Sequence, residues 1–212
     1  KVERIENNLD SKEEVSVDTE YGIFYFNSDT KKLRKYISKK TKVKSEENYP
    51  DERIVEIANK LLDTIGIKDI VEDFSDYKIR KIEKFDSEIW TVEYCKVYDG
   101  IENTAEAVVV DVFPSIGELM MLTIRNTKLT NREVKITKEY AMKLGEEYLK
   151  RSVATGIKSV ELGIVRPNLL FREEKGKIYK HINEMRKAYI VKFDNKSKSE
   201  VYIDATTGEF IG

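Results

Sequence analysis

The chain has 212 residues, room for one large domain or two small ones. Its 38 basic and 39 acidic residues leave a net charge of −1 with the signs interspersed, which removes the electrostatic case for nucleic acid or an anionic membrane as partner. No apolar run approaches the roughly 18 residues that a spanning helix needs, and the single cysteine, Cys95, excludes an internal disulfide.

The first 45 residues contain a strand-like "YGIFYF" at Tyr21–Phe26 and the Lys-rich "KKLRKYISKKTKVK", but no helix pattern. "PDERIVEIANKLLDTIG" follows. Ile54, Val55, Ile57, Ala58, Leu61, Leu62 and Ile65 fall on one face of a 3.6-residue period, and Pro50 and Gly66 mark the ends. Four strands are expected next, near 77–85, 88–98, 105–113 and 117–125, with Asp99-Gly100 as a hairpin turn. A second helix is expected over "ITKEYAMKLGEEYLKRSVATG". Thr137 suits its N-cap, Ile136 can staple over Ala141, and Ala141, Leu144, Gly145, Tyr148 and Leu149 form the inward face. Strands near 159–165, 168–182, 186–193 and 199–204 complete the chain, with Asp194-Asn195 as another turn.

The order helix, then strands, occurs twice, and so does its closing motif. "VVVDVFPSIGEL" parallels "VYIDATTGEF", matching Asp111 with Asp204 and Gly117 with Gly208, although the first copy has two extra residues between Asp and Gly. A degenerate copy, "FYFNSDTKKL", sets Asn27 and Lys31 in those places. The carboxylate is expected to hold backbone N–H groups and the glycine to supply a positive φ. Three segments follow: 1–45 as an incomplete N-terminal unit or as strands added to the next sheet, 46–130 as a first helix-plus-sheet unit, and 131–212 as a second.

"ITKEYAMKL" (Ile136–Leu144), "AYIVKF" (Ala188–Phe193) and "VYIDATTGEFIG" (Val201–Gly212) together resemble the PepSY domain and the YcdB/YcdC-type repeats of Gram-positive bacteria. The resemblance implies an α+β fold: tandem units of one helix packed on a curved antiparallel β-sheet, near the cystatin-like architecture. It also implies an extracytoplasmic setting, secreted or on the cell surface, and a role in modulating a peptidase. It brings no catalytic residues, no cofactor and no metal ligands. The opening Lys1, with no signal pattern, is expected to reflect a removed signal or anchor.

Chemistry is sparse. His181 is the one histidine, so no histidine pair or HExxH site can form, and a Cys95–His181 nucleophile pair would have to join different units. Free cysteine in a strand behaves first as a small hydrophobe. Asp69, Glu72, Asp73 and Asp76 could gather around calcium but lack the EF-hand spacing, and adjacent Glu146 and Glu147 do not form a glycosidase pair. The Lys-rich run reads as a charged edge strand or as a polyanion contact. A row of Tyr25, Tyr94, Tyr98, Tyr179, Tyr189 and Tyr202 could line a peptide- or glycan-binding sheet, or simply pack a half-buried one. The expectation is a non-enzymatic binding or regulatory module acting on a peptidase or another envelope protein. The alternative is an adhesion module for wall polymer.

Overall fold

The computed structural model describes residues 2–7, 14–40, 48–85, 88–150, 156–167, 184–194 and 199–212. The expected strand at 168–182, His181, Tyr179 and Asn195 lie outside them. Two compact units are present: 1–97 with 106–126, and 98–105 with 127–212.

The first unit holds an eight-stranded antiparallel sheet in the order β1-β2-β3-β4-β8-β7-β6-β5. β1 (Val2–Asn7), β2 (Glu14–Thr19), β3 (Gly22–Asn27) and β4 (Leu33–Ser38) form a meander. Its last strand pairs with β8 (Glu118–Asn126), Tyr36 opposite Leu122. β7 (Ile101–Phe113), β6 (Trp90–Tyr98) and β5 (Tyr77–Lys84) complete the sheet. Period-2 alternation sends Trp90, Val92 and Tyr94 to one face with Val108, Val110 and Val112. There α1 (Asp51–Thr64) buries Ile54, Ile57, Ala58 and Leu62. Asp51 and Glu52 complement the dipole of its first turn. Gly66, at φ +68, turns the chain into the one-turn α2 (Ile67–Ile70).

The second unit has a smaller sheet, β10 (Ile157–Val165), β11 (Met185–Phe193) and β12 (Glu200–Asp204), with the short β9 (Leu129–Asn131) parallel to the start of β11. α3 (Lys138–Leu149) lies against it, capped by Thr137 Oγ1 accepting from the Tyr140 N–H at 3.2 Å. Gly145 makes the close approach possible: a Cβ there would stand 2.9 Å from Val191 Cγ1. Tyr148 stacks on Phe193 at 5.8 Å, and Ala141, Val191, Val201 and Ile203 fill the core.

Tandem helix-on-sheet units, the fold class expected from the sequence, do not describe this chain. Strand dominates, with three short helices among the described residues, and most of the strand belongs to one large antiparallel sheet. The reason is β4. Its backbone pairs with β3 on one side and β8 on the other, so residues 14–38 extend the sheet of the following segment. Backbone N–H and C=O groups need partners, and adding strands to an open edge supplies them without another helix. For the same reason the part of the Lys-rich run in β4 is an interior strand and not an edge, while its last four residues, 41–44, lie outside the described ones.

Candidate functional site

Four residues were expected to build closing turns. Asp204 does so by two routes. Its carbonyl accepts from Gly208 N–H at 2.9 Å, and its Oδ1 accepts from the N–H groups of Thr206 (2.8 Å) and Thr207 (3.0 Å). Gly208 sits at φ +78. The same turn begins at Asn27: its carbonyl takes Lys31 N–H at 2.9 Å, and its Oδ1 takes Asp29 and Thr30 N–H at 3.1 and 2.7 Å. In the middle copy Phe113, not Asp111, starts the turn, its carbonyl accepting from Gly117 N–H at 2.9 Å. That corrects the assignment of Asp111. The two extra residues shift the turn along the chain, and Asp111 stays in β7 opposite Met121.

Each turn thus ends on a left-handed residue: Lys31 at φ +58, Gly117 at +65 and Gly208 at +78. Gly208→Val is expected to cost about 1–3 kcal/mol, because the β-branched side chain resists that φ. Lys31→Gly is expected to gain about 1 kcal/mol by relieving it. Urea denaturation of both variants checks the pair; shifts of the same sign would refute the shared turn geometry.

Around Asp204 lies a polar network. The aspartate is fully buried, and Oδ2 meets Arg186 at 3.0 Å. Asn131 Oδ1 accepts from Lys187 N–H at 2.6 Å, while its Nδ2 reaches the Lys187 carbonyl at 3.1 Å. The buried Lys187 ammonium meets Asp99 at 2.5 Å and the Arg132 carbonyl at 2.7 Å. That hydrogen bond holds the Asp99 carboxyl below its ordinary range. All these groups hold a turn or a strand in place.

The other candidates separate. Cys95 is buried with Sγ 3.8 Å from Glu93 Oε1, and Glu93 itself is gripped by Arg80 (2.8 Å) and Arg125 (3.0 Å). Among the described residues the tyrosines of the expected row divide between the two units, Tyr25 and Tyr94 in the first and Tyr98, Tyr189 and Tyr202 in the second. Tyr94 points to the α1 face, donates to Asn59 Oδ1 at 2.8 Å, and has its hydroxyl pushed up to about 12 by burial. Tyr189 is buried in the second unit. Among the described residues no three His, Cys, Asp or Glu side chains gather to hold a metal ion, and Asp73 pairs instead with Lys96 at 3.2 Å.

Asp111 is half-way to a chemical group. Burial raises its carboxyl pKa, while Thr91 Oγ1, donating at 2.6 Å, and Lys35 oppose the rise. A raised folded-state pKa means stability falls as pH climbs from the ordinary carboxyl range through the raised one. Asp111→Asn keeps the acceptor for Thr91 and removes the charge. It is expected to melt higher than the parent at pH 7 and level with it near pH 3, values set by ordinary carboxyl titration (~3.9). Thermal melts across that range check the sign.

One cavity of about 570 Å³ opens in the first unit. Phe24, Leu33 and Tyr36 line it from β3 and β4, Leu61 from α1, Ile65 from the end of that helix, and Ile70 from α2. Leu119 and Leu122 of β8 close the apolar wall. Phe24 and Tyr36 pack ring to ring at 4.7 Å, and the Tyr36 hydroxyl donates to the Tyr21 carbonyl at 3.1 Å. The rim is charged: Glu20, Lys39, Lys40 and Glu118. Lys39 pairs with Asp18 at 2.7 Å, and Lys40 pairs with Glu118. A volume of this size, with an apolar and aromatic lining and few polar groups, is the usual form of a ligand site. Sequence reasoning missed it. The Leu33 and Tyr36 side chains sit inside a run legible only as basic, and their partners lie on α1 and β8.

Among the described residues no helix is long and apolar enough to cross a membrane. No family model matches the chain, and no curated protein matches it. Solved structures do match, among them the C-terminal domain of Bacillus megaterium YpeB, at a TM-score of 0.51 and 13% identity over 100% of this chain and 87% of that one. The chain therefore shares its fold with the YpeB C-terminal domain.

Proposed function

We propose that this chain is a non-enzymatic, extracytoplasmic binding module that regulates a peptidase by holding an apolar side chain of it in the cavity of the first unit. The observation that carries this is the cavity itself: an apolar chamber, walled by β3, β4, β8 and α1, with a charged rim at its mouth. An apolar anchor in a desolvated pocket, ringed by polar groups, is how most protein partners concentrate their binding energy. The peptidase as partner comes from the PepSY resemblance of Ile136–Leu144, Ala188–Phe193 and Val201–Gly212, an argument from fold to function. The test is a titration against secreted metallo-, serine and cysteine peptidases, with and without Leu61→Trp, which places a bulky indole in the cavity wall. Saturable inhibition lost in that variant supports the reading. Inhibition unchanged by it moves the site elsewhere.

A second reading rests on β5. This terminal strand of the large sheet carries Lys78, Arg80, Lys81 and Lys84 against Glu83. Such a strand suits contact with an anionic wall polymer, and salt-sensitive binding to teichoic acid would favour it.

A further inference from the structure

We propose that the same cavity binds short apolar peptides with free termini, so that peptidase products compete with the partner for it; this rests on the reading of the cavity as a site for peptide side chains. The charge at the mouth selects this ligand. Lys40 and Glu118 both line the cavity and pair with one another across β4 and β8, in line with the register that sets Lys35 opposite Thr123 and Tyr36 opposite Leu122. Their side chains are 55% and 37% exposed. An ion pair that open to water contributes little, so a ligand can exchange it at small cost. A peptide zwitterion supplies the matching replacements: its carboxylate takes Lys40, its ammonium takes Glu118, and its apolar side chains enter between Phe24, Tyr36, Leu61 and Leu119. The exchange trades one exposed pair for two charge-assisted contacts and buries apolar surface. A fatty acid fits less well, because its lone carboxylate would meet Glu20 and Glu118 at the rim as well as the lysines. The cavity volume, about 570 Å³, lies in the range that encloses small ligands.

Calorimetric titration of the whole chain tests this with four probes: leucyl-phenylalanine, its N-acetyl form, its C-terminal amide, and decanoate. Saturable binding of the free dipeptide is expected. Capping either terminus should weaken it by about tenfold, the loss of one charge-assisted contact. Lys40→Ala should weaken the free dipeptide but not the amide, and Glu118→Gln should weaken the free dipeptide but not the N-acetyl form. Leu61→Trp should abolish binding, and the exposed rim variants keep the result readable should that variant fold poorly. No saturable binding at low millimolar dipeptide, equal binding of the capped forms, or binding of decanoate alone would each overturn the proposal. Peptidase inhibition without dipeptide binding would overturn this inference and leave the regulatory reading standing. Dipeptide binding without inhibition of any peptidase supports the inference and counts against that partner.

Discussion

Asp204→Ala is expected to be the most damaging single substitution in the second unit, at about 3–5 kcal/mol. The side chain is fully buried and serves four partners at once. Oδ1 holds the N–H groups of Thr206 and Thr207, and Oδ2 faces Arg186. Asn131 Nδ2 also comes within 3.3 Å of Oδ1. Alanine would leave these donors short of an acceptor where water has poor access, and each stranded group costs about 1–3 kcal/mol. Arg186 keeps Glu184 at 3.0 Å, which limits the loss on that side. Asn27→Ala is the internal control. It removes the two corresponding turn bonds and one from the Thr30 hydroxyl at a half-buried site that water reaches, and should cost about 1 kcal/mol. Equal costs at the two positions, measured by urea unfolding, would show that burial of the network contributes nothing.

The second large effect is expected at Glu93 and appears only in combination. The carboxylate is 7% exposed and bridges Arg80 on β5 to Arg125 on β8. Either arginine alone can hold the charge, so Arg80→Ala and Arg125→Ala should each cost about 1 kcal/mol. Losing both leaves a buried carboxylate without a counter-charge, and the double variant should cost about 3–5 kcal/mol, well beyond the sum. Adding Glu93→Leu should restore much of that loss, since an apolar side chain of similar size needs no counter-charge. A thermodynamic cycle over the four proteins decides it. Strict additivity would mean that the carboxylate finds water instead.

Several parts of this molecule are written in local chemistry. The α1 stripe from Ile54 to Leu62, the Thr137 cap and the Asp204–Gly208 turn follow from side chains acting within a few residues of themselves, where geometry is set by the 3.6-residue period and by φ. The hairpin at Asp99-Gly100 is of the same kind, with φ +51 and +82. Asp111 shows the limit of such reading. Its likeness to Asp204 is real as a string of letters, but the turn is defined by which carbonyl accepts from the left-handed residue, and that carbonyl belongs to Phe113.

The sequence by itself therefore determined the two long helices, most of the described strands and two of the three turns. The tertiary structure decided what those pieces belong to. Pairing of β4 with β8 turned an apparent fragment into half of an eight-stranded sheet, because unpaired strand edges seek partners wherever the chain presents them. The same pairing set Lys40 beside Glu118 and enclosed Leu33, Tyr36, Leu61 and Leu119 around one cavity. Residues so far apart in the chain share no local signal. Only the burial of their common apolar surface brings them together.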